Sequence, residues 1–199
     1  MINISNIDDS EPYKIFKDLY NQSIDAGQKS IEAIAISSFN KSLEEVDSRF
    51  VNLKKIECQD WFFYSNYNSP KAMQFRSHSQ IAGLFYWEKL NIQIRLKANI
   101  EILDSKESDR YFINRSDKKN ALAISSDQSK NISSYNRVIE NYNKTLEDTN
   151  LMRKRPLFWG GYVFKPYYFE FWRGHESRLN HRVAFSFSNQ NWKKITLQP

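Results

Sequence analysis

The stretch IAGLFYWEKLNIQIRLKANIEIL, residues 81–103, has the pattern of two β-strands joined by a Glu-Lys turn. In its second half Ile92, Ile94 and Leu96 alternate with polar residues, which is the period of two of a strand with one apolar face. Two strands joined so closely are typical of an antiparallel sheet. We therefore expect β-structure to organise the fold.

Further strand-like and helical segments flank this pair. Strand-length runs rich in β-formers cover residues 31–39, 49–57, 61–67, 167–172, 182–188 and 192–199. Helical spacing or helix-start signals cover residues 11–27, 69–79, 105–115 and 133–148. The segment 117–133 is too polar for a core. The order predicts a mainly β, α+β fold in which an antiparallel barrel or sandwich carries accessory helices.

Length and composition indicate one domain. The chain has 199 residues with 40% hydrophobic and 15% aromatic content, enough for one substantial core. We expect a single domain over residues 1–199, with residues 1–10 flexible. The net charge of +6 is uneven, because residues 151–199 alone carry nine Lys or Arg against two acids. That excess indicates an anionic partner, or a solvated basic surface, at the C-terminal segment.

Several classes of protein are disfavoured. One cysteine, Cys58, permits no disulfide framework, and the three histidines have no paired acid or thiol that would suggest a metal site. The N-terminus lacks the pattern of a signal peptide, and no apolar run is long enough to span a bilayer. We expect a cytoplasmic protein without a metal or a membrane partner. Nucleic-acid binding is disfavoured because the cations are interleaved with strand cores.

A few side chains have chemistry suited to anions or to a flat polar ligand. Arg49 and Lys54 lie near opposite ends of one apolar run, and Lys71 follows Pro70 at a helix start, where free N–H groups favour phosphate. Gln93 lies within the alternating strand, and an amide can donate and accept hydrogen bonds. Edge-strand charge or a simple helix cap would explain each of these positions equally well.

Taken together, the C-terminal motifs resemble the pyridoxamine 5′-phosphate oxidase family. The block FWGGYVFKPYYFEFWRGHESRLNHR, with the ending NWKKITLQP, is similar to the family's FWGG, EFWQG, RLHDR and W-K-x-x-R-L-x-P motifs in the same order. The resemblance runs from about Glu11 to Pro199. It implies an antiparallel split β-barrel of Greek-key type that binds FMN at a homodimer interface. It also implies oxidation of pyridoxine 5′-phosphate or pyridoxamine 5′-phosphate to pyridoxal 5′-phosphate by O2, with hydride transfer from the substrate's C4′ to flavin N5.

The resemblance also implies roles for individual residues. The positions that match the family's cofactor-binding residues are Arg49, Tyr64, Ser65, Lys71, Gln93, Gln128, Ser129, Trp172 and Arg182. The positions that match its substrate-binding residues are Lys54, Tyr111, Arg115, Lys119 and Arg178, and Arg178 and Asn180 occupy the catalytic positions. Arg178 would lie over the pyridine ring of the substrate.

Four positions depart from the family pattern. The family's substrate-side histidine is Asn180 here, which cannot take up a proton near neutral pH. An FMN-phosphate arginine is replaced by Pro70, for which Arg76 is a candidate substitute. A substrate-phosphate serine is Lys119, and the arginine before Gln93 is Ile92. The alternatives are an FMN oxidase of the same superfamily with another substrate, of the phenazine-pathway type, or a flavin- or pyridoxal-phosphate-binding protein with little turnover.

Overall fold

The computed structural model describes residues 1–199, which form five α-helices and ten β-strands. The helices are α1 (Glu11–Asp25), α2 (Pro70–Ser77), α3 (Ser105–Ile113), α4 (Asp117–Ser125) and α5 (Tyr135–Glu147). The strands are β1 (Asn3–Ser5), β2 (Ala33–Asn40), β3 (Glu45–Asn52), β4 (Lys55–Glu57), β5 (Asp60–Asn66), β6 (Gln80–Trp87), β7 (Ile92–Ile102), β8 (Trp159–Arg173), β9 (His181–Ser188) and β10 (Asn191–Leu197). None of the helices has both the length and the apolar character needed to cross a membrane.

The ten strands form one open sheet with a branch at β8. Its main path runs β1-β4-β5-β8-β7-β6-β2-β3, while β9 pairs with β8 and β10 pairs with β9. Residues 159–164 of β8 pair with β5, and residues 168–173 pair with β9. Pro166 lies between these two parts, near a register shift against β7. Proline suits this position because it cannot donate a ladder hydrogen bond.

The predicted fold class is confirmed. The 81–103 stretch forms the antiparallel pair β6–β7, with a short 3₁₀ turn at Glu88–Leu90 between the strands. All strand pairs are antiparallel except β1–β4, which is parallel. The sheet does not close on itself, so it is a mixed, open sheet rather than a continuous barrel.

An aromatic core joins α1 to the sheet. Phe16 of α1 is fully buried, and its ring centroid lies 4.6 Å from that of Trp61, 5.8 Å from Phe85 and 5.7 Å from Trp87. Such clusters stabilise a domain through the large apolar area that each ring removes from water. The helix therefore holds β5 and β6 from one side of the sheet.

Two local predictions were wrong. Residues 1–10, for which flexibility was predicted, contain the short strand β1, and Ile2 is buried. The predicted strand 49–57 is two strands, β3 and β4, separated at residues 53–54. The polar segment 117–133 contains α4. Its Asn120 is buried because the side-chain amide donates to the carbonyls of Phe112 and Met152, at 3.0 and 3.1 Å.

Candidate functional site

Lys71 is a buried ammonium group in the first turn of α2. Its Nζ donates to Ser65 Oγ at 3.0 Å and to Ser69 Oγ at 3.2 Å, and no carboxylate pairs with it. Burial, reinforced by the positive charge of Arg49, lowers the pKa of Lys71 to about 8. An ammonium held by two hydroxyls alone is well suited to bind an incoming anion.

Arg49 extends from β3 toward the same helix. Its Nη1 donates to Ser38 Oγ at 2.6 Å and its Nη2 donates to Gln74 Oε1 at 3.0 Å. Nη2 also pairs with the carboxylate of Asp47. Gln74 is three residues beyond Lys71 and therefore lies on a neighbouring part of the same helix face. We call Arg49, Ser65, Lys71 and Gln74 the Lys71 cluster.

Tyr64 and the 126–129 segment border this cluster. The Tyr64 ring stacks on Tyr111 with a centroid distance of 3.5 Å and an interplanar angle of 4°. Gln128 Oε1 accepts from Ser65 Oγ at 3.2 Å. Ser129 is exposed and makes no side-chain hydrogen bond, and its backbone is left-handed with φ of 68°. The structure thus places Gln128, and not the Ser129 side chain, against β5.

A second group of cations lies on the other side of Tyr64. The Arg115 guanidinium lies over the Trp159 ring at 4.3 Å from the centroid, and its Nη1 is buried without a hydrogen-bond partner. Burial lowers the pKa of Lys54; Glu32 opposes this shift, while the positive charges of Lys119 and Arg115 add to it. We call Lys54, Tyr111, Arg115 and Lys119 the Arg115 cluster. It concentrates positive charge around an unsatisfied donor.

One recess of about 240 Å³ joins the two clusters. Its lining residues are Tyr64, Ser65, Asn66, Arg115, Lys119, Leu122, Ala123, Ser126, Gln128 and Trp159. Ligand pockets usually measure about 300–1,000 Å³. The recess is therefore slightly smaller than this range.

The remaining site residues lie at the far end of β8. Gln93, Trp172 and Arg182 are direct cross-strand neighbours on β7, β8 and β9, and we call them the sheet-face row. Arg178 and Asn180 lie in the 174–180 loop that leads into β9. Arg178 is exposed with φ of 62°, and Asn180 Oδ1 accepts from the His175 backbone N–H at 3.0 Å.

Two groups of predicted site residues are thus separated within one chain. The Lys71 and Arg115 clusters lie near Trp159, where β8 begins, and the sheet-face row contains Trp172. Thirteen residues of extended strand span roughly 40 Å. Lys71 and Ser65 therefore lie toward one end of β8, and the sheet-face row lies at the other end.

The sequence predicted Arg76 at the Lys71 cluster and did not predict Gln74. Arg76, the predicted substitute for the missing arginine, donates to the Tyr67 carbonyl at 3.0 Å and does not join the Lys71 cluster. The buried group next to Arg49 is instead Gln74, which also accepts from Ser38 Oγ at 2.5 Å. The signal that would have found it is its spacing of three from Lys71 on a helix.

Asp47 competes with any anion that enters the Lys71 cluster. Burial would raise the pKa of Asp47, but the charge of Arg49 and its hydrogen bond outweigh this effect, so the carboxylate stays ionised at neutral pH. We expect Asp47→Asn to bind inorganic phosphate roughly threefold to tenfold more tightly, because Arg49 is released from an ion pair. Calorimetric titration would measure this change.

Glu45→Gln is the matched control for Asp47→Asn. It removes the same charge two residues earlier on β3, from a side chain that makes no ion pair with Arg49. An equal gain in both variants would indicate a general charge effect. Weaker phosphate binding in Asp47→Asn would mean that Asp47 orients Arg49 and does not compete for it.

Solved structures share this fold over nearly the whole chain. PhzG from Burkholderia lata 383, in complex with tetrahydrophenazine-1-carboxylic acid, matches with a TM-score of 0.89 and 24% identity, covering 96% of this chain and 93% of that one. A pyridoxamine 5′-phosphate oxidase-related, FMN binding protein from Nostoc punctiforme PCC 73102 matches with a TM-score of 0.79 and 10% identity, covering 96% and 99%.

Sequence comparisons identify the family. A model described as the pyridoxine 5′-phosphate oxidase C-terminal dimerisation region matches residues 159–199. The pyridoxine/pyridoxamine 5′-phosphate oxidases of Cytophaga hutchinsonii and Idiomarina loihiensis are each 33% identical to this chain, covering 94% and 96% of it and 88% and 91% of their own lengths. The chloroplastic pyridoxine/pyridoxamine 5′-phosphate oxidase 1 of Arabidopsis thaliana is 32% identical over 96% of this chain, which spans 37% of that protein. The chain belongs to the pyridoxine/pyridoxamine 5′-phosphate oxidase family.

Proposed function

We propose that this protein is an FMN-dependent oxidase that converts pyridoxine 5′-phosphate or pyridoxamine 5′-phosphate to pyridoxal 5′-phosphate with O2. The observation that carries the proposal is the pair of cationic clusters that meet at one recess. Ser65, which contacts Lys71, and Arg115 both line it. A cofactor and a substrate that each carry a phosphate require two such clusters, one for each dianion.

The residues present fit FMN. Lys71 is a buried cation with no carboxylate partner, and the buried Arg115 Nη1 lacks a hydrogen-bond acceptor, so both clusters have unused capacity for anions. Arg49 and Lys71 would hold the cofactor phosphate, with Tyr64, Ser65, Gln128 and Ser129 beside it. When bound, FMN supplies a hydride acceptor at N5 for the substrate's C4′ and passes the electrons on to O2.

The Arg115 cluster would hold the substrate phosphate. Arg115 is fixed by stacking on Trp159 and by donating to the Lys119 carbonyl at 3.2 Å, so its remaining donors are oriented before the substrate arrives. Lys54 and Lys119 add charge, and Tyr111 adds a hydroxyl. Anchoring the phosphate in this way places the substrate ring at a set distance from the recess wall.

Each complete site is shared between two copies of the chain. Gln93, Trp172 and Arg182 lie at the opposite end of β8 from Ser65 and Lys71 of their own chain, and the partner of a homodimer would supply them. The match of residues 159–199 to a dimerisation region supports this arrangement. Arg178 would then lie over the substrate's pyridine ring and polarise it. Asn180 would contribute a neutral hydrogen bond in place of a proton-accepting group.

Mixing two defective chains tests this arrangement directly. Lys71→Met damages the first half of the site and Arg182→Gln damages the second, so each homodimer should bind FMN poorly. In a heterodimer one site carries both defects and the other carries none. After the chains are unfolded together and refolded in equal amounts, we expect about a quarter of all sites to bind FMN normally, measured by quenching of flavin fluorescence.

The control is a mixture of the Lys71→Met and Arg182→Gln variants that were refolded separately. This mixture forms no heterodimers as long as the homodimers dissociate slowly. No recovery after co-refolding, with dimers demonstrated by light scattering, would contradict a shared site. Recovery in both samples would mean that the subunits exchange freely, and a shorter mixing time would then be used.

A second candidate is an FMN oxidase of this superfamily that acts on another substrate. The observation that favours it is the local use of Asn180, whose side-chain oxygen accepts from His175 N–H within its own loop. An oxygen engaged in this way is less available to a substrate. Bound FMN that is reduced by neither B6 phosphate would favour this candidate.

A further inference from the structure

Glu170 is a nearly fully buried carboxylate on the sheet face. Its side chain is 3% exposed. Oε1 accepts from Arg182 Nε at 3.0 Å and from Arg182 Nη2 at 2.7 Å. Oε2 accepts from Arg95 Nη1 at 2.9 Å and from Tyr168 Oη at 3.0 Å. Both oxygens are therefore satisfied twice, which is the condition under which a buried charge is tolerated.

The same contacts determine the orientation of Arg182. A third donor, Nη1, bonds to the Gln198 carbonyl at 2.9 Å. Arginine has five N–H donors in one plane, so two remain free, one on Nη1 and one on Nη2. Contacts on both edges of the guanidinium leave it little freedom to rotate. Its two free donors are thereby held in fixed orientations, on the cross-strand neighbour of Trp172.

We propose that Glu170 is the positioning residue of the sheet-face row: it orients the Arg182 guanidinium for the cofactor and is not itself in contact with it. This inference rests on the proposed function, which assigns Arg182 to the FMN site. A long, flexible arginine loses side-chain entropy when it binds a ligand, and an arginine already held in place loses less. Glu170 therefore increases the affinity for FMN by holding Arg182 in place.

Charge as well as shape is required at position 170. Arg95 and Arg182 approach the same carboxylate, and a neutral side chain would leave the two guanidinium groups facing each other. Burial would raise the pKa of Glu170, but hydrogen bonds from Arg182 and Tyr168 and the charges of Arg95 and Arg182 outweigh it. The carboxylate thus stays ionised throughout the neutral pH range, and glutamine cannot replace it.

A double-mutant cycle tests the proposal. We would measure the FMN dissociation constant and the visible circular dichroism of bound FMN for the wild type, Glu170→Gln, Arg182→Gln and the double variant. Each single change should weaken FMN binding by roughly tenfold or more and alter the dichroism of the flavin band. The double variant should be no worse than Arg182→Gln alone, because Glu170 acts only through Arg182.

Arg95→Gln is the matched control, because it removes the other cation from Glu170 and leaves the Glu170–Arg182 contact in place. Its effect on FMN affinity should be smaller than that of Glu170→Gln. Thermal unfolding without FMN separates this from a purely structural role. If Glu170→Gln lowers only the melting temperature, or if its loss of affinity adds fully to that of Arg182→Gln, the proposal is overturned. If Arg182→Gln itself binds FMN normally, the assignment of Arg182 fails and the inference fails with it.

Discussion

Replacing Lys71 by methionine is expected to weaken FMN binding at pH 7 by about tenfold to a hundredfold, the usual value of a hydrogen bond to a charged group. Methionine fills a similar volume but cannot donate to a phosphate. Lys89→Met is the control, because it removes the same charge from the exposed Glu88–Leu90 turn. Fluorescence titration measures both. Equal losses in the two variants would mean that only overall charge attracts the cofactor.

The same residue makes FMN affinity depend on pH. In the protein without FMN the pKa of Lys71 is about 8, and a bound phosphate would raise this pKa. Above pH 8, FMN binding is therefore accompanied by uptake of a proton. Affinity in the wild type should fall by about tenfold for each pH unit above 8, because the ammonium must be reprotonated before it pairs with the phosphate. Lys71→Met should lack this decline. A wild-type affinity that is flat between pH 7 and 9 would contradict the assignment.

Stability should change in the opposite direction. The pKa of Lys71 is about 8 in the folded protein and 10.5 when exposed, so between these values the unfolded state binds more protons and stability rises with pH. The cost of the buried charge, about 3 kcal/mol, is fully present below pH 8. Lys71→Met without FMN should therefore unfold at higher denaturant concentration than the wild type at pH 7. A residue that lowers stability while it increases affinity is typical of a binding site.

The second large effect is expected at Arg115. Arg115→Gln should raise KM for pyridoxine 5′-phosphate by roughly a hundredfold and change kcat much less, because a phosphate anchor is bound equally in the ground and transition states. Steady-state kinetics with the phosphorylated substrate measure this. Unphosphorylated pyridoxine, tested at high concentration, should be used equally poorly by both enzymes, since it has no phosphate for Arg115 to hold.

Arg110→Gln on helix α3, five residues before Arg115, is the matched control for Arg115→Gln. Arg110 is exposed and paired with Glu107, outside the recess. Its loss should leave KM unchanged. If Arg115→Gln reduced turnover of pyridoxine as strongly as that of its phosphate, Arg115 would have a structural role, for example through its contact with Trp159, and the phosphate assignment would be wrong.

Local sequence patterns correctly predicted most of the helices and strands. Alternation at Ile92, Ile94 and Leu96 correctly predicted β7, and Pro70 correctly predicted the start of α2. Helix α4 was missed because Asn120 appears polar in sequence, whereas its buried side-chain nitrogen donates to the carbonyls of Phe112 and Met152. Such partners cannot be read from periodicity.

The candidate site likewise contains residues that the sequence predicted and contacts that it did not predict. Resemblance to the family supplied the residues that match its motifs, and the structure brings Lys71, Ser65 and Gln128 together. The prediction for Arg76 was wrong because residues five apart on a helix point well over a quarter-turn away from each other, so Arg76 points away from Lys71. Gln74, three residues after Lys71, stays near it. The contact of Glu170 with Arg182 depends on the pairing of β8 with β9, which no motif encodes.

The most direct test of the account is anaerobic reduction of the bound flavin. The purified protein is loaded with FMN, freed of excess cofactor and oxygen, and mixed with pyridoxine 5′-phosphate while the visible flavin absorbance is followed. We expect bleaching at a rate that saturates with substrate, followed by recovery of the colour and formation of pyridoxal 5′-phosphate when O2 is admitted. Bound FMN that remains oxidised with both pyridoxine 5′-phosphate and pyridoxamine 5′-phosphate would contradict it.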